Sequence, residues 1–145
     1  MTKRSAWFTH LSWLLIAVTG VVYAWMHYLC EPDDPIALVN HPLEPTMLGA
    51  HVLTAPLFVF ALGLIWRSHI IAKIRSPRPD RKKTGYLLLG LAIICTASGY
   101  LLQVSSTEVL RTLWIWTHAT TGLALVVVYV AHQFAPRLSK PTRNR

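Results

Sequence analysis

Histidine is the residue type in this sequence with the widest possible chemistry, and the chain has seven histidines among its 145 residues. A neutral imidazole binds metal ions or haem iron through a ring nitrogen, and it exchanges protons near neutral pH. Five of the seven lie within long apolar stretches: His10, His27, His51, His118 and His132. An ionisable side chain inside a membrane span is costly and usually marks a functional site. The role of these histidines therefore depends on the helices to which they belong and on their depth in the membrane.

Four apolar stretches of about twenty residues each provide those elements, since each is long enough to cross ~30 Å of hydrocarbon as a helix. The stretches are residues 6–29, 48–66, 84–103 and 112–134. The sequence thus predicts an all-α integral membrane protein, a four-helix bundle that forms a single domain over residues 1–145. The prolines of the outer loop predict an extended or turned chain, and residues 68–83 are expected to be a solvated crossing on the inner side.

The charged residues are divided unequally between the two sides of this topology. Thirteen of the fourteen basic residues lie in the N-terminus, the loop between helices two and three, and the C-terminal tail. The opposite side has only Arg111, together with five acidic residues. Because cytoplasmic loops are enriched in Lys and Arg, both termini are predicted to be cytoplasmic. The net charge of +8 therefore indicates topology and contact with membrane lipid headgroups, not nucleic-acid binding.

The cysteines and the first apolar stretch exclude two other possibilities. Cys30 and Cys95 are expected at different depths, so no disulfide is expected between them. The sequence has no Cys-x-x-Cys-His motif, which excludes covalently attached c-type haem. The first stretch resembles a signal peptide, but it is too long and has no small-x-small cleavage site. Helix one is therefore expected to be retained.

The two histidines of helix four have the spacing that two stacked cofactors require. His118 and His132 are fourteen residues apart, so they share a helix face and lie ~21 Å apart along the axis. Topology places His51 at the outer depth of His118, and His10 at the inner depth of His132. Two axial imidazoles give a six-coordinate b-type haem suited to electron transfer. The sequence therefore predicts two haem b groups, with these four histidines as iron ligands.

The remaining histidines compete for these roles. His69 lies ~27 Å from His51 along a helix, which mismatches the spacing on helix four. It is therefore expected at the inner surface or near a quinone or a haem propionate, and it is the alternative to His10 as the inner ligand. His27 is an alternative outer ligand or a hydrogen-bonding group, and His41 is expected to be solvated or at a partner interface. A hydrogen bond to a neighbouring helix is the alternative role for each predicted ligand.

Two further residues are candidate contacts of the cofactors. Gly122 lies one turn from His118 on the same face, where a missing side chain would let a porphyrin lie against the backbone. Close helix packing is the ordinary alternative for a glycine in a membrane helix. The same two interpretations apply to Gly49, Gly63, Gly90 and Gly99. Arg111, the only outer cation, would neutralise a haem propionate or anchor its helix among lipid headgroups.

The histidines fall on helices one, two and four, none falls on helix three, and helix four has the fourteen-residue gap. This pattern resembles the dihaem cytochrome b subunits of membrane formate dehydrogenases and nickel-iron hydrogenases, and the bacterial cytochrome b561 group is similar. The resemblance implies the ligand pairs His10–His132 and His51–His118. It also implies electron transfer in a bacterial inner membrane between a periplasmic redox subunit (iron-sulfur or multihaem cytochrome c) and membrane quinone. The candidates near the quinone are His69, Lys83, Gly85 and His132.

Two other functions fit parts of the pattern. A stand-alone enzyme that oxidises superoxide and reduces ubiquinone would need a cationic funnel over the outer haem, where Arg111 stands against five acidic residues. A haem-free transporter or assembly factor would use the histidines for metal ions or protons. The chain is shorter than typical dihaem cytochromes and has no extra helix to hold a partner. The identity of the partner is therefore left open.

Overall fold

A computed structural model describes residues 1–32, 34, 36–77 and 81–134, and in this part the chain is helical with short connections and no strand. Four helices are long and apolar enough to cross a membrane: α1 (Lys3–Leu29), α2 (Glu44–Arg75), α3 (Lys82–Val104) and α4 (Glu108–Phe134). The predicted all-α, multi-pass membrane architecture is confirmed. The single domain and the cytoplasmic termini stay predictions. The charges at Asp33, Arg78, Asp80 and residues 135–145 lie outside the described residues.

Local chemistry explains where the first two helices begin and end. Thr2 caps α1, because its hydroxyl accepts a hydrogen bond from the Ser5 backbone N–H at 3.1 Å. The helix ends at Leu29, shortly before Pro32, and proline has no N–H to continue the hydrogen-bond ladder. Pro45 lies in the first turn of α2, where a backbone N–H needs no partner within the helix.

The second helix is longer than its apolar stretch. It consists of a regular α-helix over Glu44–Ile65, a π-helix over Trp66–Ile71 and a last α-helical turn over Ala72–Arg75. The first half of the expected crossing over residues 68–83 is therefore helical, and its solvation stays a prediction. The charge of Arg67 ends the apolar stretch, but a charge does not interrupt backbone hydrogen bonds. A proline does, and the next one follows Arg75 by two residues.

Residues Met1–Ile71 form one compact unit, in which α1 packs against α2. Phe8 contacts Phe60 edge to face, with the ring centroids 6.0 Å apart. Nearer the N-terminus, the Met1 amino group donates a hydrogen bond to the Ser68 carbonyl oxygen at 3.4 Å. The two helices are therefore antiparallel, and residues of equal depth can be identified from these contacts.

At the opposite end of this unit, a buried carboxylate connects α1 with the loop and the start of α2. Glu44 is only 7 % exposed, and its Oε1 lies 2.6 Å from His27 Nδ1. Its Oε2 accepts a hydrogen bond from the Asn40 backbone N–H at 3.1 Å, and the Asn40 amide donates to the His27 carbonyl oxygen at 2.6 Å. Because a buried carboxylate is costly unless its oxygens are paired, these bonds hold α1, the loop and the start of α2 together.

The second compact unit is Ala72–Arg145, and its described part contains α3 and α4. Three residues, Ser105 to Thr107, connect the two helices, which pack against each other along their length. The predicted short turn between antiparallel neighbours is confirmed. At the far end of this pair, the Arg81 guanidinium donates a hydrogen bond to the Gln133 carbonyl oxygen at 3.2 Å.

The helices expose many of their large apolar side chains. Leu53 is 77 % exposed, Phe60 is 60 % exposed and Val109 is 80 % exposed. Such a surface is unfavourable in water, because apolar area gains free energy when it is transferred to an apolar surrounding. A helix also satisfies its backbone hydrogen bonds internally, as a lipid environment requires. These surfaces are therefore suited to contact with membrane lipid.

Candidate functional site

His118 of α4 is half-buried and is held by the neighbouring helix α3. Its Nδ1 lies 2.9 Å from the backbone carbonyl oxygen of Cys95. A carbonyl oxygen can only accept, so His118 Nδ1 carries the proton and donates it. In the neutral imidazole the lone pair is then on Nε2. The Ser98 hydroxyl at 3.4 Å and the Cys95 thiol at 3.7 Å also lie near Nδ1.

His132, at the other end of α4, has the same kind of contact. Its Nδ1 lies 2.8 Å from the Thr84 hydroxyl oxygen. The single proton of that hydroxyl is donated to the Arg81 carbonyl oxygen, at 3.1 Å. With its proton on that carbonyl, the Thr84 oxygen can accept a hydrogen bond from His132 Nδ1. In this tautomer the lone pair of the His132 imidazole is on Nε2.

His51 of α2 repeats the arrangement in the first unit. Its Nδ1 lies 3.2 Å from the Thr19 hydroxyl oxygen on α1. Thr19 donates its own proton to the Leu15 carbonyl oxygen, at 2.8 Å. The Thr19 oxygen is therefore the acceptor for His51 Nδ1–H, which leaves the lone pair on Nε2.

Three of the four predicted ligands thus have Nδ1 against an oxygen of the neighbouring helix, which leaves Nε2 as the nitrogen with the lone pair. A histidine that binds a metal usually donates its other ring N–H to a carbonyl, carboxylate or similar acceptor. That bond fixes the tautomer and the ring orientation, and it raises the basicity of the nitrogen that binds the metal. The donor atoms of His51, His118 and His132 therefore fit axial ligation of a haem iron through Nε2.

The fourth predicted ligand, His10, is exposed on α1. The His51 ring lies against Gly20, ten residues after His10, so His10 and His51 differ by ~15 Å in depth. His69 differs from His51 by ~27 Å, and the spacing on α4 is ~21 Å. Depth therefore does not favour His10 over His69. Their surroundings differ, because His10 lies in the apolar part of α1 and His69 lies in the π-helix beside Arg67.

The other two histidines have local contacts in the first unit. His27 pairs with the buried Glu44, as described above, which confirms its alternative interpretation as a hydrogen-bonding group. The His41 Nδ1 accepts a hydrogen bond from the Leu43 backbone N–H at 3.1 Å, and its ring is tilted against Trp25 with centroids 6.2 Å apart.

Gly122 and Arg111 are the other two residues predicted to contact a cofactor. A Cβ built on Gly122 would lie 3.6 Å from the Cys95 thiol, so this glycine faces α3 and packs against a side chain there. Its predicted contact with a porphyrin stays a prediction. Arg111 is exposed in the first turn of α4, and its contact with a haem propionate also stays a prediction.

The residues that accept hydrogen bonds from the histidine rings were not predicted from the sequence. Thr19, Thr84 and the Cys95 carbonyl were not identified, because a hydroxyl or a carbonyl in a membrane helix has many ordinary roles. The signal that was present is a Ser or Thr followed by Gly on the helix that faces each histidine. Reading that signal requires knowing which helices are neighbours and in what register.

The arrangement of the histidine nitrogens differs from the one that a metal ion without a porphyrin requires. In the part of the chain that the structure describes, no group of three or more His, Cys, Asp or Glu side chains is arranged to hold such an ion. A haem iron needs only two protein ligands, because the porphyrin nitrogens fill its other positions. Single histidines on separate helices are the donor set that this kind of ligation uses.

Comparison of the chain with protein-family models, curated proteins and solved structures finds no significant match.

Proposed function

We propose that this chain is a membrane electron-transfer subunit that binds two b-type haems through axial histidines. It would connect a periplasmic redox subunit, of the iron-sulfur or multihaem cytochrome c class, with the quinone pool of a bacterial inner membrane. The proposed ligand pairs are His51 with His118 and His10 with His132. The pairing of His51 with His118 rests on depth and on the family resemblance. The choice of His10 as the partner of His132 rests on the resemblance and on the apolar surroundings of His10.

The observation that carries this proposal is the shared orientation of three imidazoles. His51, His118 and His132 each donate Nδ1–H to an oxygen of a neighbouring helix. Such bonds also tie helices together, but that role does not require the same nitrogen each time. Ligation of iron by Nε2 does require it, because Nε2 must carry the lone pair.

Haem, when bound, supplies reversible one-electron chemistry at its iron. The residues of the chain hold the imidazoles at fixed rotation and surround them with apolar helices. Burial and hydrogen bonding of the axial ligands are among the features by which a protein adjusts the reduction potential. Two axial imidazoles also leave no open position for oxygen, which suits electron transfer.

The quinone is proposed to bind near the inner end of this arrangement. Of its four candidate neighbours, Gly85 and His132 lie side by side on α3 and α4. Lys83 is exposed two residues before Gly85, where its ammonium group would reach a quinone carbonyl or a lipid phosphate. His69 is the candidate from the first unit.

Electron transfer across vesicle membranes tests the proposed function. The haem-loaded protein is reconstituted into lipid vesicles that contain ferricyanide, and dithionite is added outside. We expect the trapped ferricyanide to be reduced much faster than in protein-free vesicles, because the chain provides a conducting path through the apolar layer. Absorbance of ferricyanide measures the rate.

Two control variants complete this experiment. Vesicles with His118→Ala are expected to behave like protein-free vesicles, because one relay position is lost. Vesicles with His41→Ala should conduct like the wild type, since His41 lies in a loop. Equal rates in wild-type and protein-free vesicles would refute transmembrane electron transfer.

A further inference from the structure

Three of the predicted ligand rings lie over a glycine of the neighbouring helix. A Cβ built on Gly20 would lie 2.7 Å from His51 Cε1, closer than real side chains come. A Cβ built on Gly99 would lie 3.0 Å from His118 Cε1, and one built on Gly85 would lie 3.8 Å from His132 Cε1. The His51 ring therefore occupies space that only a glycine leaves open. An alanine at position 99 would require the His118 ring to move by a few tenths of an ångström, whereas the His132 ring has ordinary van der Waals room.

Each of these glycines follows a hydroxyl residue whose oxygen lies near Nδ1 of the same ring. The pairs are Thr19-Gly20 below His51, Ser98-Gly99 below His118 and Thr84-Gly85 below His132. The oxygens lie 3.2, 3.4 and 2.8 Å from the respective Nδ1 atoms. Below His118 the Cys95 carbonyl oxygen is the closer acceptor, at 2.9 Å. A hydroxyl residue followed by a glycine thus lies against a histidine ring three times, on two different helices.

We infer that Thr19-Gly20, Ser98-Gly99 and the hydroxyl of Thr84 set the rotation of the axial imidazoles as positioning residues, an inference that rests on the proposed haem ligation. The hydroxyl oxygen, or the nearby carbonyl, fixes Nδ1, and the glycine lets the Cε1 edge of the ring lie against the helix backbone. Two contacts on one edge of a planar ring define its rotation about the Cβ–Cγ bond. The direction of the Nε2 lone pair follows from that rotation.

The remaining glycines show that the dipeptide alone is insufficient. Thr121-Gly122 on α4 has the same sequence, but Gly122 faces the Cys95 thiol and the Thr121 hydroxyl donates to the Thr117 carbonyl oxygen at 2.6 Å. Gly49, Gly63 and Gly90 have open space where a Cβ would be. Gly49, Gly63 and Gly90 are therefore matched controls, since glycine-to-alanine changes there alter the helix without touching a histidine.

Gly20→Ala is the most informative variant. Its added methyl group must push the His51 ring away from α1, because the three heavy atoms nearest to it all belong to that ring. We expect loss of the haem that His51→Ala removes, or retention of that haem with altered low-spin g values and a shifted midpoint potential. Gly99→Ala should give a smaller change of the same kind. Gly63→Ala should match the wild type, because nothing lies within 4 Å of the Cβ that it adds.

Thr19 provides a second test that does not depend on added bulk. Thr19→Val removes the acceptor for Nδ1 while keeping the shape, and loss of such an outer contact lowers affinity for the metal group by about ten- to a hundredfold. Thr19→Ser, which keeps the oxygen, should restore haem binding. Haem titration of the purified apoprotein measures both variants.

The outcomes separate this inference from the proposed function. If the wild type binds haem and Gly20→Ala has the same haem content, g values and potential as Gly63→Ala, the positioning role is wrong and the ligation stands. If Gly20→Ala fails to fold, equal haem affinity of Thr19→Val and the wild type overturns the positioning role. A wild type that binds no haem overturns both proposals.

Discussion

Replacing His118 with alanine is expected to lower the haem content of the purified protein from about two to about one per chain, because one axial ligand is lost. His118 is the ligand with the best-defined surroundings, since the Cys95 carbonyl fixes the protonation of its Nδ1. An alanine at this position offers no donor atom, and a haem held by a single imidazole binds more weakly. Haem extraction as the pyridine complex, with protein determined by amino-acid analysis, measures the ratio.

The control for this variant is His41→Ala, which is expected to keep both haems. His51→Ala should remove the same haem as His118→Ala, as judged by the remaining spectrum and midpoint potential, because the two residues are proposed to share an iron. Retention of both haems by His118→Ala would contradict the ligand assignment. Removal of different haems by the two variants would contradict the pairing.

Replacing His10 with alanine is expected to remove the other haem, while His69→Ala keeps both. Their depths do not separate the two residues, since they differ from His51 by ~15 Å and ~27 Å, on either side of the ~21 Å spacing on α4. The expectation rests on their surroundings: His10 lies among apolar residues of α1, and His69 lies beside charged residues at the end of the apolar stretch of α2. Haem content and the low-spin electron paramagnetic resonance spectrum measure the outcome.

His132→Ala is the reference for this comparison, because it should give the same single-haem spectrum as His10→Ala. The opposite result, with His69→Ala losing the haem and His10→Ala keeping both, would assign the inner ligand to the π-helix. That outcome would leave the count of two haems intact and change one ligand.

Much of the fold follows from simple properties of the sequence. Long apolar stretches predict the four helices, because a membrane allows few other ways to satisfy a backbone. The short turn before Glu108 predicts that α3 and α4 are neighbours. The true end of α2 was not predictable from hydropathy, because Arg67 changes the surroundings of the helix and leaves its hydrogen bonds intact. The π-helix at Trp66–Ile71 has no local sequence signal that we recognise.

The placement of histidines along one helix could be predicted from the sequence, whereas the residues of neighbouring helices that contact them could not. His118 and His132 are fourteen positions apart, which places both on one face of a helix by geometry alone. The contact of His51 with Gly20 depends on the register between two helices, and one step along either helix would break it. The pairing of His27 with Glu44 depends in the same way on how the loop returns the chain to α2.

The most direct test of the central claim is a reduced-minus-oxidised absorption spectrum of the purified full-length protein, combined with its haem content. The protein should be produced in cells supplied with excess haem precursor. We expect a b-type α-band, about two haems per chain and low-spin iron only, because both irons are proposed to have two imidazole ligands. A protein that is folded and helical in detergent, yet shows no b-type α-band, would contradict the central claim.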